Sequence, residues 1–441
     1  MSASDQLARC PLCARSVPAA VLAEAGWMDV ATQRRLKERN PHWRKSDGAC
    51  PACVQQALLS VLLERGEPAL SRAVQEVWPI DADAAFGALP TPLRMRADPR
   101  FTGAGVTVAV IDAAFHAHDD LVRPVNRIRA WVDATESKVV VRQFRSDERP
   151  QWPGSASADA RQWHGLMTSV ALAGNGWRSH GLYRGLAPGA EIVLVQVQGA
   201  DGRIGSARVA RALRWVLVEH AALAIRVVNV SLGVGAETPA ATKEIEGLIA
   251  ALVAQNVSVI VAAGNDGDRS LALPAVAPLA ITVGGLDDMN VLDVDARTVW
   301  HSNYGVSSSG REKPELVAPS MWIVAPVLPG SAVDREARAL FSRRASDDDS
   351  VEARLEELRL VTPHYQHVEG TSVASPIVTG VVACMLEAAP TLSAARMCAV
   401  LESACQPVAG ATAARQGAGA IDAGRAVAAA LAMGRSHGVW N

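Results

Sequence analysis

Four short runs of β-branched and aliphatic residues constrain this chain most: 106–111 (Val-Thr-Val-Ala-Val-Ile), 192–195 (Ile-Val-Leu-Val), 227–230 (Val-Val-Asn-Val) and 257–261 (Val-Ser-Val-Ile-Val). Each is nearly continuous in apolar residues rather than alternating, the mark of a strand covered on both faces. Such strands belong to parallel sheets, whose crossover connections lay helices over both sides. Helix-length segments at 206–220 and 242–255 separate them. The alternation predicts an α/β domain with a doubly wound parallel sheet and helices on both faces. Sites in such sheets lie at the carboxyl ends of the strands.

Chemistry-bearing residues stand at those ends. Asp112 closes the first run, and the last runs out through Ala262, Ala263 and Gly264 to Asn265. His164, in Trp163-His164-Gly165, opens an apolar segment of helix length that Gly174 closes. Glu369-Gly370-Thr371-Ser372-Val373-Ala374-Ser375-Pro376 sets a serine between a glycine turn and an apolar helix running to Ala388. A serine hydroxyl is a poor nucleophile near neutral pH, so it needs a base to take its proton and a carboxylate to orient that base. His164 and Asp112 are those partners for Ser372, and the Asn265 amide is a neutral donor for an oxyanion. Taken singly, each has a plain structural role: the serine as a helix N-cap, the aspartate as a turn residue, Asn265-Asp266-Gly267 as a turn. Together and in this order they argue for one site.

With these boxes, over roughly 103–430, the chain resembles the subtilisin-like serine peptidases, the subtilase family, in which Asp, His and Ser follow one another along the chain. The resemblance implies peptide hydrolysis through an acyl-enzyme. It also implies that an extended polypeptide substrate pairs beside Ser231, Leu232, Gly233 and Gly264. Calcium is common in the family, and Asp120 is the one position here that matches a ligand, so calcium stays open. Three departures stand out: Ala113-Ala114 where a small hydroxyl residue and glycine are usual, Leu166-Met167 after the histidine box, and Ser320 where glycine is favoured.

The amino terminus carries a second pattern, Cys10-Pro-Leu-Cys13 and Cys50-Pro-Ala-Cys53. Two such turns complete a four-cysteine structural zinc site, with 36 residues (14–49) between them. A basic stretch inside that interval (Arg34, Arg35, Lys37, Arg39, Arg44, Lys45) reads as a solvated helix face, with contact to nucleic acid the lesser alternative. Cys384, Cys398 and Cys405 sit in apolar stretches as packed thiols.

Lys+Arg at 43 against Asp+Glu at 45 leaves a net charge of −2, so no global field directs the protein to nucleic acid or membrane. The start, Met1-Ser-Ala-Ser-Asp5, lacks a secretory pattern, and no unbroken apolar run reaches the ~18 residues of a membrane helix. Seven cysteines, an odd number, suit a reducing compartment. The expectation is a cytoplasmic protein with a zinc module and helix at 1–77, a linker at 78–100 and a peptidase domain at 101–441, interrupted by insertions near 137–161 and 331–362. The module is a place for a regulatory protein partner. The rival reading is a latent or non-hydrolytic peptidase-like interaction protein.

Overall fold

In the computed structural model, which describes residues 7–14, 16–18, 30–50, 53, 57, 88–151, 159–179, 181–235, 238–290, 293–343 and 349–436, the apolar runs form the middle of a large sheet. Its strands are β1 (Thr107–Asp112), β2 (Ile128–Asp133), β3 (Val140–Gln143), β4 (Glu191–Gln196), β5 (Ile225–Val230), β6 (Ser258–Ala262), β7 (Ile281–Asp287), β8 (Leu316–Pro319), β9 (Cys405–Gln406) and β10 (Ala420–Ile421). They lie in the order β9-β10-β8-β7-β6-β5-β1-β4-β2-β3. Pairing is parallel from β10 to β2; the outermost strands β3 and β9 run antiparallel, and a short strand, Thr298–Val299, pairs antiparallel with β7 off this path. Strand β1 therefore sits between β4 and β5 at the switch in strand order, where α/β sheets open a crevice.

Period-two alternation along β1 builds both cores. Val108 and Val110 pack with the helices Arg161–Ala173, Thr371–Ala388 and Ala423–Ser436, while Ala109 and Ile111 pack with Ser206–Glu219 and Pro239–Ala254. The Thr371–Ala388 helix is long and apolar enough to cross a membrane, but 83% of it is buried inside the protein. One buried polar cluster fixes it to the sheet. Asn229 Oδ1 accepts from Ser375 Oγ (2.8 Å) and Thr379 Oγ1 (3.0 Å), and Asn229 Nδ2 donates to Ser231 Oγ (2.9 Å).

Strands β2, β7 and β8 lay outside the four runs. In β7 the glycines at 284 and 285 blur the pattern, and packing requires them: a Cβ on Gly285 would stand 2.6 Å from Ser320 Oγ and 2.7 Å from the Trp300 ring.

The linker expected at 78–100 is corrected in its second half; residues 78–87 lie outside the described residues. From Ala88 the chain is built into the core, with Leu89, Leu93 and Arg94 buried. Proline and small residues read as linker, yet Pro92 lies in the first turn of the short helix Thr91–Arg94 that turns Arg94 inward. Its guanidinium forks onto Asp288 (2.6 and 2.8 Å) and donates to the carbonyls of Met321 (2.7 Å) and Trp322 (2.6 Å). The first insertion supplies edge strand β3; its residues 152–158 lie outside the described residues. The second folds into helices Ala332–Arg343 and Asp349–Glu357, which close over Val327, Leu340, Val351, Leu355 and Leu360 as a small core of their own. The helix expected after Cys53 lies almost wholly outside the described residues. At 30–39 the basic stretch forms a helix, on which Arg34 and Lys37 are exposed.

Removing one partner of a buried pair strands the other charge, at about 3–5 kcal/mol. Asp288→Ala is expected to lower the unfolding free energy by about that amount in urea titrations, and a loss below about 1 kcal/mol would show that the 88–100 segment is not integral to the domain.

Candidate active site

Strand register brings the separate boxes together. Asp112 ends β1, Ser231 follows β5 directly, and Ala263, Gly264 and Asn265 follow β6, all at the same sheet edge. The Arg161–Ala173 helix crosses this edge with His164 in its first turn. It approaches so closely that a Cβ on Gly165 would lie 2.1 Å from the Ala114 carbonyl oxygen. The turn after Asp112, which has no glycine of its own, is thus accommodated by the glycine on the helix.

The Asp112 carboxylate is fully buried. Oδ1 meets His164 Nδ1 at 2.6 Å and accepts from the Ala113 N–H at 2.6 Å, and Oδ2 accepts from Thr168 Oγ1 at 2.8 Å. The side chain of His164 is one-third exposed. Burial opposes its charged form, but the Asp112 charge and hydrogen bond outweigh that and hold the imidazole above its ordinary pKa. With Nδ1–H given to Asp112, Nε2 is left as the basic atom.

Ser372, at the start of the Thr371–Ala388 helix, is half-buried and shares a cavity of about 500 Å3 with Asp112, His164, Ser231 and Leu232. Its hydroxyl donates to the Ser231 carbonyl at 3.3 Å rather than to His164. Contact between nucleophile and base requires this hydroxyl to leave the Ser231 carbonyl, and catalytic hydrogen bonds often form fully only once substrate is bound.

On the far side of the serine, Asn265 Oδ1 accepts from both the N–H (2.9 Å) and the hydroxyl (2.8 Å) of Thr371. A backbone N–H can only donate, so the amide oxygen must face Thr371 and the exposed Nδ2 faces away with its protons free among the described residues. Gly264 lies at φ +108°, and a Cβ there would come within 2.7 Å of Asn303 Nδ2. Asn303 in turn donates its N–H to the Gly264 carbonyl (3.0 Å) and accepts from the Asp266 N–H (2.7 Å), holding the turn. Ahead of the serine, the Gly370 N–H donates to the Ser320 carbonyl (2.9 Å), so the residue that departs from glycine still anchors the turn through its backbone.

The structure thus brings Asp112, His164, Ser372, Asn265, Ser231, Leu232 and Gly264 to one edge; Gly233 follows in the same segment against Ala272. Sequence reading missed Thr168, Thr371, Asn303 and Asn229. Thr168 was within reach of the helical repeat, four residues from His164 on one face.

Asp120 does not fit a calcium site. Its carboxylate accepts from Tyr365 Oη (2.7 Å) and from the Arg178 N–H (3.1 Å), donors where a hard cation needs converging oxygens. The four cysteines differ. Their Sγ atoms all lie within 4.8 Å of one another, with Cys13–Cys50 at 3.6 Å and Cys10–Cys53 at 3.9 Å, all free of disulfides. Tetrahedral thiolates at the usual ~2.3 Å from zinc stand ~3.8 Å apart, so this group could bind such a metal.

A doubly wound sheet with these groups at one edge defines the subtilisin-like α/β class. Residues 103–419 match the Subtilase family, and the chain belongs to that family. Serine protease AprX of Bacillus subtilis (strain 168) is 30% identical over 305 residues, covering 66% of this chain and 59% of AprX. Subtilisin BL of Lederbergia lenta is 26% identical over 292 residues, covering 66% of this chain and 80% of its own length. This chain thus spans less than two thirds of AprX. Among solved structures, a protease from Pseudoalteromonas arctica PAMC 21717 is similar in fold, with a TM-score of 0.53 at 22% identity over 80% of this chain and 96% of that one.

Because a protonated His164 cannot act as a base and Asp112 raises its pKa, activity should rise with pH through a value above that of an ordinary imidazole. Asp112→Asn leaves only the lowering effect of burial. It is expected to move the acid limb of kcat/KM to lower pH while kcat falls by about 10⁴. An unmoved limb would contradict the Asp112–His164 coupling.

Proposed function

We propose that this protein is a serine endopeptidase acting on a polypeptide substrate through an acyl-enzyme. The observation that carries the reading is the 2.6 Å Asp112–His164 bond, with His164 lining the same cavity as Ser372. His164 Nε2 takes the Ser372 proton as the serine attacks the scissile carbonyl, Asp112 holds the tautomer and stabilises the imidazolium, and the same proton then goes to the leaving amine. Asn265 Nδ2 and the Ser372 N–H receive the oxyanion. An extended substrate lies beside Ser231, Leu232 and Gly233 on one side and Gly264 on the other, adding a strand through main-chain bonds. Its arrival displaces Ser372 Oγ from the Ser231 carbonyl, which then accepts from substrate backbone. Membership of the family and the serine protease name of AprX support this reading.

The reading includes a structural zinc on Cys10, Cys13, Cys50 and Cys53, where the metal would fix the module and leave the chemistry to the triad. That module is a site for a regulatory partner, and the protease is cytoplasmic, narrow in specificity or activated on demand.

Against a panel of unstructured peptides, Asn265→Ala is expected to lower kcat by about 10² to 10³ with little change in KM, the loss subtilisin shows when its own oxyanion asparagine is removed. A fall below about tenfold would remove Asn265 from the mechanism. Metal analysis of purified protein is expected to return about one zinc per chain, lost in Cys13→Ser with Cys50→Ser. Retention of zinc in that variant would place the metal elsewhere.

A further inference from the structure

The buried carboxylate of Asp112 has two oxygens with different dependences. Oδ1 is held twice, by His164 and by the backbone N–H of Ala113. Oδ2 has one partner among the described residues, the Thr168 hydroxyl at 2.8 Å, and both residues are fully buried. Ala113 offers no side-chain donor. A single hydroxyl therefore decides whether this charge is fully solvated by the protein.

That hydroxyl carries one proton and has two acceptors in range, the Asp112 carboxylate at 2.8 Å and the Gly165 carbonyl at 3.2 Å. The charged acceptor at the shorter distance wins. Thr168 lies one turn beyond His164 on the same helix face, so a single rigid element delivers both the base and the group that steadies its acid partner. Branching at Cβ limits Thr168 to few rotamers, which favours a fixed hydroxyl direction.

We propose that Thr168 is a positioning residue of the triad: by holding Asp112 Oδ2 it locks the carboxylate plane so that Oδ1 stays aimed at His164 Nδ1. Two effects follow. Without the hydroxyl the carboxylate can turn about Cβ–Cγ, because one edge is free. The buried oxygen is also left without its donor, a desolvation cost that no other partner among the described residues repays. Asp112 is the charged group acting on His164 here, so any disturbance of it is read directly in the titration of the base.

The proposal rests on the serine-peptidase reading, and the full-length chain tests the two separately. Thr168→Val and Thr168→Ser are compared with wild type on a cleaved peptide, with Ser372→Ala as the zero. Thr168→Val is expected to lose about ten- to a hundredfold in kcat, the range for a hydrogen bond to a charged group, with KM within about twofold and the acid limb of kcat/KM displaced. Thr168→Ser keeps the hydroxyl and restores both rate and limb. In parallel, the His164 Nδ1–H proton, which a short bond to a carboxylate moves far downfield, is followed by NMR in the Ser372→Ala background. It should shift or broaden with Thr168→Val and persist with Thr168→Ser, and this readout stands even if no peptide is cleaved. An unchanged resonance and limb in Thr168→Val overturns the proposal. So does a serine variant as impaired as the valine one, which would assign the role to the methyl group. Where the valine protein does not fold by circular dichroism, Thr168→Ala is judged by the same measures; failure of both to fold makes the hydroxyl a requirement of folding and also overturns the proposal.

Discussion

A carboxylate buried to zero exposure at the end of the central strand is the constraint around which this domain is arranged. An isolated ion in such a place would give up its charge, so donors must come to it from independent parts of the chain. They do: the following backbone N–H, the imidazole of His164 and the hydroxyl of Thr168. The last two require the Arg161–Ala173 helix to lie directly against the turn after β1. That approach is possible only because position 165 has no Cβ. The helix is then held by Leu166, Met167 and Val170 in the core, so the departures after the histidine box are buried packing residues rather than lost chemistry.

The serine side solves a different problem. A nucleophile must be exposed, yet it begins the most buried helix of the domain. Asn229 reconciles the two by binding Ser375 and Thr379 beneath the surface, which pins the helix start to β5 within reach of Ser231. Buried polar groups of this kind are tolerated when every member is satisfied, and they fix register better than apolar contacts do. Thr371 adds the next link, because its N–H and hydroxyl orient the Asn265 amide while the hydroxyl itself accepts from the Gly264 N–H at 3.1 Å.

Much of this was legible in the residues. Runs buried on both faces announced β1, β4, β5 and β6, since periodicity reports burial directly. The long helix after Gly370 was equally plain. Strand β2 was hidden by Arg129 within it, and β7 by glycines that exist for close packing. The segment from Ala88 was read as linker because composition cannot show that one arginine finds an aspartate 194 residues away. Likewise Asp112, His164, Asn265 and Ser372 could be named from their boxes and Thr168 from its helical spacing to His164, whereas Asn303 acts through contacts that only the folded chain creates. Asp120 shows the converse. Family resemblance alone makes it a calcium-ligand match, and a tyrosine from beyond the second insertion donates to the carboxylate instead.

That tyrosine also joins the second insertion to the site, because Tyr365–Val368 leads straight into the turn carrying Ser372. The account stands or falls on whether the three groups at this edge make Ser372 a nucleophile. The most direct measurement is reaction of the folded protein with a fluorophosphonate, followed by peptide mapping in a mass spectrometer. A single adduct on Ser372 that disappears in His164→Ala is the predicted result. A folded protein carrying no adduct on Ser372, or one that His164→Ala leaves intact, would contradict it.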